Sequence, residues 1–446
     1  MIRRQHRRRA GLALLLVLPL AATSACGGGG GGTETEAGSG KGTITVWAHQ
    51  GQAAEDKALQ NAVKSFNSEQ KDIKAELKLI PGNDYTKTIT TTDPAELPDV
   101  LEFDGPTMAN FVYNGKLAPA DRYLSATTVA NATEAVRRQG TFERKLYGLG
   151  MYDSGLGLYA DKKLLDEAGV DYPTGLSDAW TAEEFTAALK KLAARDADKK
   201  VLDIQEGNGL ATEWGTYGFA PMVWSAGGSL LRDGRAAGAL DSPESVSALR
   251  TFQSWKGFVD PNTDGNAFAK GRVALSWVGH WMYPAYSEAL GDDLTVLPLP
   301  DFGNGPKTGQ GSWAWGIGAG SKNAKAAGTF LDHLLNDANI AAMTEANGAV
   351  PATRSALEQS KLYRDGGPLE LFADQLARPC GSDPATITDD CVAVTRPVTA
   401  GYPVVTAEFG KALNAVYGGA DPEAALKKAA RAIDQDFSDN DGYRTQ

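Results

Sequence analysis

Paired carboxylates such as Asp104 and Asp153 could in principle do hydrolytic chemistry. A glycoside is cleaved between one carboxyl acting as an acid and a second acting as base or nucleophile. Other catalytic signatures are missing. There is no HExxH helix, no GxSxG elbow and no cysteine with a histidine partner, and His49, His280 and His333 lie far apart in sequence. The run from Asp260 through Asn262 and Asp264 to Gly265 matches the first half of a calcium loop. Its twelfth position is Gly271 where the bidentate glutamate belongs, so an acidic turn is the better reading and no metal is expected. Gly40-Lys41 falls short of a phosphate loop because Gly42 stands where Ser or Thr is required. Aromatic groups are more promising. Of nine tryptophans, Trp224, Trp281, Trp313 and Trp315 are the candidates for flat binding platforms, with packed core indoles as the competing reading. Trp313 and Trp315 share strand parity, so only one face is served. His49 and Gln50 end the first predicted strand, at the carboxyl edge where α/β sheets take ligands, and Phe103 and Tyr152 are further stacking candidates. No cofactor is expected.

The elements that must position these residues are legible from periodicity. Thr43–Trp47 is a β-branched run, Ala75, Leu77 and Leu79 alternate with charges, and Pro98–Phe103 supplies a third strand before the turn at Asp104-Gly105-Pro106. Leu59, Ala62, Val63 and Phe66 recur at helical spacing between the first two strands. Thr181 and Glu184 form a capping box ahead of Phe185, Ala188, Leu189 and Leu192. Asp421-Pro422 opens a helix striped by Leu426, Ala429, Ala430, Ile433 and Phe437, and the polar residues from Ser438 onward are expected to fray. Strands alternating with helices indicate a parallel sheet covered by helices on both faces. No internal repeat is seen.

The first 26 residues carry an export signal. Arg3, Arg4, Arg7, Arg8 and Arg9 precede an apolar run from Gly11 to Ala22 that is too short to span a bilayer, which needs about 20 residues. The run ends in Thr23-Ser24-Ala25-Cys26, which resembles the lipobox of bacterial lipoproteins, with Thr23 where an aliphatic residue is usual. The alternative is an ordinary secretory peptide with a chance cysteine, and Arg8-Arg9 leaves the export route open between the general and twin-arginine pathways. Six glycines follow Cys26, and residues 26–41 read as a lipidated flexible tether. Loss of residues 1–25 removes His6 and five arginines and takes the formal charge from −11 to −16. That acidity argues against nucleic acid and against electrostatic adhesion to anionic lipid. About 405 residues remain after the tether, enough for two substantial cores. Cys380 and Cys391 are left as a pair, for which an extracytoplasmic disulfide is favoured over a metal pair.

An ordered series of segments then carries a family resemblance. It runs Ile44-Thr-Val-Trp-Ala, Leu97-Pro-Asp-Val-Leu, Asn114-Gly-Lys-Leu-Ala-Pro, Leu146-Tyr-Gly-Leu-Gly-Met-Tyr and Gly157-Leu-Tyr-Ala-Asp-Lys-Lys-Leu-Leu. It continues through Ala168-Gly-Val, Trp224-Ser-Ala-Gly-Gly-Ser-Leu-Leu, Phe268-Ala-Lys-Gly-Arg-Val-Ala-Leu, Gly279-His280-Trp281 and Arg396-Pro-Val to an Ala424-Ala-Leu helix. Over nearly the whole mature length the chain resembles the extracytoplasmic solute-binding proteins of ABC importers, in the carbohydrate-type family 1 branch related to maltose-binding protein. Ala160, where asparagine is common, and the cysteine-bearing stretch 379–392 depart from the pattern. The resemblance implies a two-lobed α/β periplasmic-binding-protein fold of type II, with mixed sheets flanked by helices and a ligand cleft at the hinge. Lobe one is expected at 42–152 and 296–345, lobe two at 153–295 and 346–446, with crossings near Met151–Ser154, Leu294–Pro298 and 340–350. It implies a sugar ligand, permease subunits as partners, a monomer lipid-anchored on the outer face of the cell membrane, and no enzyme activity. A sugar site wants aromatic platforms with carboxylates and amides in the plane of the ring. By carry-over, Asp104 reaches ligand from its turn, Asp153 faces the cleft at the first crossing, Trp281 lines the cleft, and Arg396 holds an interlobe carboxylate or a ligand hydroxyl. A secreted carbohydrate-processing enzyme and a ligand sensor are the alternatives.

Overall fold

The computed structural model describes residues 37–381 and 383–444. The expected export signal and Cys26, the expected lipidation site, lie outside them. The last residues of the expected tether do not: Ala37 accepts a backbone hydrogen bond from Lys325 at 2.9 Å, and Lys41 pairs with Asp72 at 3.0 Å. No helix among the described residues is long and apolar enough to cross a membrane.

Two sheets organise the chain. The first runs in the order Ile73–Pro81, Gly42–Gln50, Val100–Asp104, Trp313–Gly318, Leu117–Ala118, with Gly148–Leu149 also paired to Trp313–Gly318. Alternation sets its faces: Ile44, Val46 and Ala48 are fully buried, while Thr43 before them and Thr45 between them are exposed. Gly42–Gln50 is parallel to both neighbours, but Trp313–Gly318 runs antiparallel to Val100–Asp104. The sheet is therefore mixed, and the wholly parallel sheet expected from periodicity is corrected. The reason is that Trp313–Gly318 arrives from the other sheet and not by a helical crossover. The second sheet has the order Leu202–Asp203, Leu275–Gly279, Leu156–Asp161, Leu294–Leu297.

Three chain segments pass between the sheets and are pinned to one another. Tyr152–Asp153 pairs antiparallel with Val350–Pro351. The Leu156 amide donates to Thr308 Oγ1 at 2.7 Å, and the Thr308 hydroxyl donates back to the Leu156 carbonyl at 3.0 Å. The Gln310 amide donates to Asp153 at 2.9 Å. Leu294–Leu297, expected to carry the chain back, is instead the edge strand beside Leu156–Asp161, and the passage to the first sheet follows at Thr308–Gln310.

Helices cover both sheets where the apolar stripes placed them. Leu59, Ala62, Val63 and Phe66 are the buried residues of Ala53–Glu69. Thr181 and Glu184 close their capping box on Ala182–Ala193, burying Phe185, Ala188, Leu189 and Leu192. Asp421 caps Pro422–Asp439, whose stripe is buried throughout. Large apolar side chains buried this way contribute roughly 1.5–3 kcal/mol each. The expected fraying from Ser438 is corrected: Ser438 and Asp439 finish that helix, and Tyr443 packs edge-on against Phe437 at 5.2 Å and Tyr113 at 5.7 Å. A small parallel sheet of Thr308–Gln310, Ala393–Thr395 and Pro379–Gly381 sits beside the crossings, and the Cys380–Cys391 disulfide closes its loop.

Candidate functional site

The parallel strands Gly42–Gln50, Ile73–Pro81 and Val100–Asp104 end at one edge of the first sheet, and Leu275–Gly279 ends facing them from the second. Between these ends lies a cleft of about 840 Å³ lined by His49, Gly82 and Asp104 from the first sheet and by His280 and Trp281 from the second. The helix Glu213–Ser225 adds Glu213, Trp214 and Tyr217 from its first turns, and Ser312 and Trp313 come from the returning strand. Strand ends expose backbone groups and short loops, which is why such edges hold ligands.

Aromatic rings form the walls. Trp313 stacks on the His49 imidazole with centroids 4.0 Å apart and planes 12° from parallel. Trp281 meets Trp214 edge-on at 6.1 Å and leans over Tyr217 at 6.3 Å. Trp281 and Trp313 remain half-buried, with ring surface free toward the cleft.

Charged groups sit between the walls in fixed pairs. His49 Nδ1 is 2.7 Å from the buried Glu102 carboxylate. Burial alone would lower the His49 pKa, but the Glu102 charge and hydrogen bond, helped by Glu55 and Asp56, raise it to about 9, so the ring is cationic at neutral pH. Burial pushes Glu102 upward, opposed by His49. The buried Arg396 guanidinium bridges the sheets: it donates to Asp104 at 3.2 Å and to Glu213 at 2.6 Å, and lies 4.6 Å over the Tyr217 ring. Tyr402 and Thr406 also donate hydroxyls to Glu213. Glu213 is raised by burial, an effect that Arg396 opposes.

At the base of the cleft, His280 joins two crossings. Burial lowers its pKa to about 4, so the ring is neutral, with one nitrogen–hydrogen donor. Nδ1 donates to the Asn347 carbonyl at 2.9 Å, which leaves Nε2 to accept from the Ser154 hydroxyl at 2.8 Å. Glu55, in the first turn of Ala53–Glu69, accepts from Tyr152 at 2.7 Å and from the Asn347 amide at 3.2 Å.

Of the residues singled out from sequence, His49, Asp104, Tyr152, Trp281, Trp313 and Arg396 line this cleft, Arg396 with its guanidinium on the carboxylates of Asp104 and Glu213. The others do not. Trp224 is 2% exposed in the core of the second sheet. It lies ten residues from Trp214 on the same helix, about 15 Å along its axis at 1.5 Å per residue. Trp315, one pleat behind Trp313, is buried against the first core. Phe103 points into the sheet's other face, where its ring fills the space left by Gly148 and Gly316. Gln50 is exposed outside the lining, because alternation turns it away from His49. Asp153 is buried behind the wall, its carboxylate taken up by Gln139 at 3.0 Å and Gln310 at 2.9 Å. It therefore cannot pair with Asp104 across a substrate. Asp104 itself is held by Arg396. The Asp260–Asp264 turn is neutralised by Arg272 at 2.8 and 2.6 Å and by Lys270 at 3.0 Å, with cations of the chain itself. Glu55, Glu213, Trp214, Tyr217 and Tyr402 were not legible as site residues. The rule that ligands sit beyond strand ends would have found Glu55, which opens the helix after the first strand; nothing local marked the others.

Comparison with known proteins agrees with this architecture. The family described as bacterial extracellular solute-binding protein matches residues 61–367. The maltodextrin-binding protein MdxE of Bacillus subtilis is 24% identical over 301 residues, covering 62% of this chain and 69% of that protein. An ABC transporter solute-binding protein of Thermotoga lettingae, solved with α-D-tagatose, is 25% identical and superposes with a TM-score of 0.74 over 88% of this chain and 99% of its own. The GacH receptor of Streptomyces glaucescens, solved unliganded and with acarbose, shares the fold with a TM-score of 0.72 at 21% identity, covering 91% and 100%. Two pinned sheets facing each other across a cleft, together with a family match over most of the chain, make this protein a member of the bacterial extracellular solute-binding family.

Proposed function

We propose that the chain is the substrate-binding lipoprotein of an ABC importer, held outside the cell membrane by lipid on Cys26, and that it captures a sugar or oligosaccharide and delivers it to the permease. The observation that carries this reading is the cleft itself: about 840 Å³ at the strand ends of both sheets, walled by Trp214, Tyr217, Trp281 and Trp313 and edged with carboxylates. Ring faces suit the C–H faces of a sugar, and carboxylates and amides suit its hydroxyls. The binding proteins of Bacillus and Thermotoga named above, for maltodextrin and tagatose, point the same way. The lobes divide at the crossings, with 42–152 and about 312–356 around the first sheet, against whose core Ala349, Ala352 and Ala356 pack, and 156–297 and about 360–444 around the second. Lobe closure then traps the ligand, and the protein acts as a monomer. Binding without turnover is favoured over glycoside cleavage, because Asp153 is withdrawn from the cleft and Asp104 is committed to Arg396.

A thermal-shift and calorimetric screen of sugars and polyols tests the reading. Ligand at 100 times its Kd is expected to stabilise the protein by about 2.7 kcal/mol without consumption of the sugar. Trp281→Ala is expected to weaken that ligand about tenfold, the worth of one lost aromatic stack. Product formation would make the protein an enzyme, and a hit confined to non-carbohydrate solutes would remove the sugar.

A further inference from the structure

Charge in the cleft is unevenly matched. The His49 imidazolium is surrounded by three carboxylates, Glu102, Glu55 and Asp56, all of which act on it. The Arg396 guanidinium is shared by two, Asp104 and Glu213. Two cations thus face five carboxylates, and no lysine lines the cleft among the described residues. Glu102 and Asp104 are hydrogen-bonded to their cations, Glu213 is bonded to Arg396, Tyr402 and Thr406, and Asp56 accepts from the Gly51 amide at 2.8 Å.

Glu55 is different. It is half-buried, it lines the cleft, and its close partners are the neutral donors Tyr152 and Asn347, both on Oε1. Its other oxygen has only the Gln52 amide at 3.4 Å. When the lobes close, water leaves this carboxylate, and the one cation it acts on, His49, is already paired with Glu102, so its desolvation is costly unless the ligand brings charge. A neutral sugar offers hydroxyl donors but no charge, and an anionic one adds to the excess of negative charge. A ligand bearing a protonated amine supplies that charge together with hydrogen-bond donors.

We propose that the ligand is an amine-bearing saccharide, with Glu55 as the carboxylate that reads its ammonium group. This inference rests on the saccharide reading above and narrows it. The anchor lies at the start of the Ala53–Glu69 helix, close to the hinge, so an ammonium there would touch lobe one next to the crossings Tyr152–Asp153 and Val350–Pro351.

The test is calorimetry of the intact chain against matched sets in which only one substituent changes. Glucosamine, N-acetylglucosamine, glucose and glucuronate form one set, the galacto series a second, and the corresponding disaccharides a third. The free amine is expected to bind at least tenfold tighter than its acetylated and hydroxyl partners, with the uronate weakest, and raising salt is expected to narrow the gap. Glu55→Gln, with its melting curve checked, is expected to collapse the amine-to-hydroxyl ratio toward one. Equal or tighter binding of the neutral member overturns the inference while leaving sugar capture intact. An amine preference that survives Glu55→Gln removes Glu55 as the reader. Failure of every saccharide removes both readings.

Discussion

His49 and Arg396 are the two residues through which the site is tied to the stability of the fold. The folded-state pKa of His49, about 9, lies above its ordinary 6.5 because Glu102 outweighs the cost of burial. Its contribution is therefore complete below about pH 6.5 and is lost as pH rises through 9. Denaturant midpoints across that window are expected to fall with rising pH, and Glu102→Gln is expected to flatten the fall. Arg396→Met leaves Asp104 and Glu213 without their cation. It is expected to cost about 3–5 kcal/mol in equilibrium unfolding, and adding Asp104→Asn and Glu213→Gln should recover much of it. Sequence revealed the chemistry of some of these positions and not their setting. His49, Asp104 and Trp313 are placed by strand parity and by the strand-end rule, both of which are local. Trp224 and Trp315 are as aromatic as Trp281, and only packing distinguishes a core indole from a wall.

At the level of elements, the helices were the most legible, because a stripe at 3.6-residue spacing and a cap are written in consecutive residues. Thr181→Ala removes the side-chain acceptor for the Glu184 amide, and a loss of about 1 kcal/mol is expected by thermal unfolding. The cystine loop was legible as a pair of cysteines, but its task was not. It supports the strand Ala393–Thr395, which ends one residue before Arg396. Replacing both cysteines by serine is expected to cost about 2–3 kcal/mol, read as a lower melting temperature that reductant no longer changes. The direction of Trp313–Gly318 was hidden for a different reason: its partners lie some two hundred residues earlier, and periodicity carries no information about direction.

Across the whole molecule, the crossings at Tyr152–Asp153, Thr308–Gln310 and Val350–Pro351 are short, mutually bonded and adjacent to the cleft, the arrangement of a hinge. Small-angle scattering with and without a calorimetrically identified ligand is expected to show a smaller radius of gyration in the bound state. An unchanged radius would mean that the lobes are already closed around an open-mouthed cleft. Breaking the base of the hinge by Ser154→Ala, which removes the donor to His280 Nε2, is expected to shift the balance of open and closed forms and so to change affinity without touching the aromatic walls.

By itself the sequence determined the class of molecule. The ordered series of segments carried the family resemblance and, through it, the two-lobed α/β fold of a solute-binding protein, while the strand and helix patterns placed the elements; both are written in short stretches of sequence. Which side chains face the ligand was decided by tertiary structure. Trp214 and Trp224 share one helix, Trp313 and Trp315 share one strand, and Asp104 and Asp153 share a chemistry, yet one of each pair lines the cleft and the other is buried behind it. The difference comes from where two sheets stop, how far each residue lies from that edge, and which cation it meets there. Distance from an edge and choice of counter-ion are properties of the assembled fold.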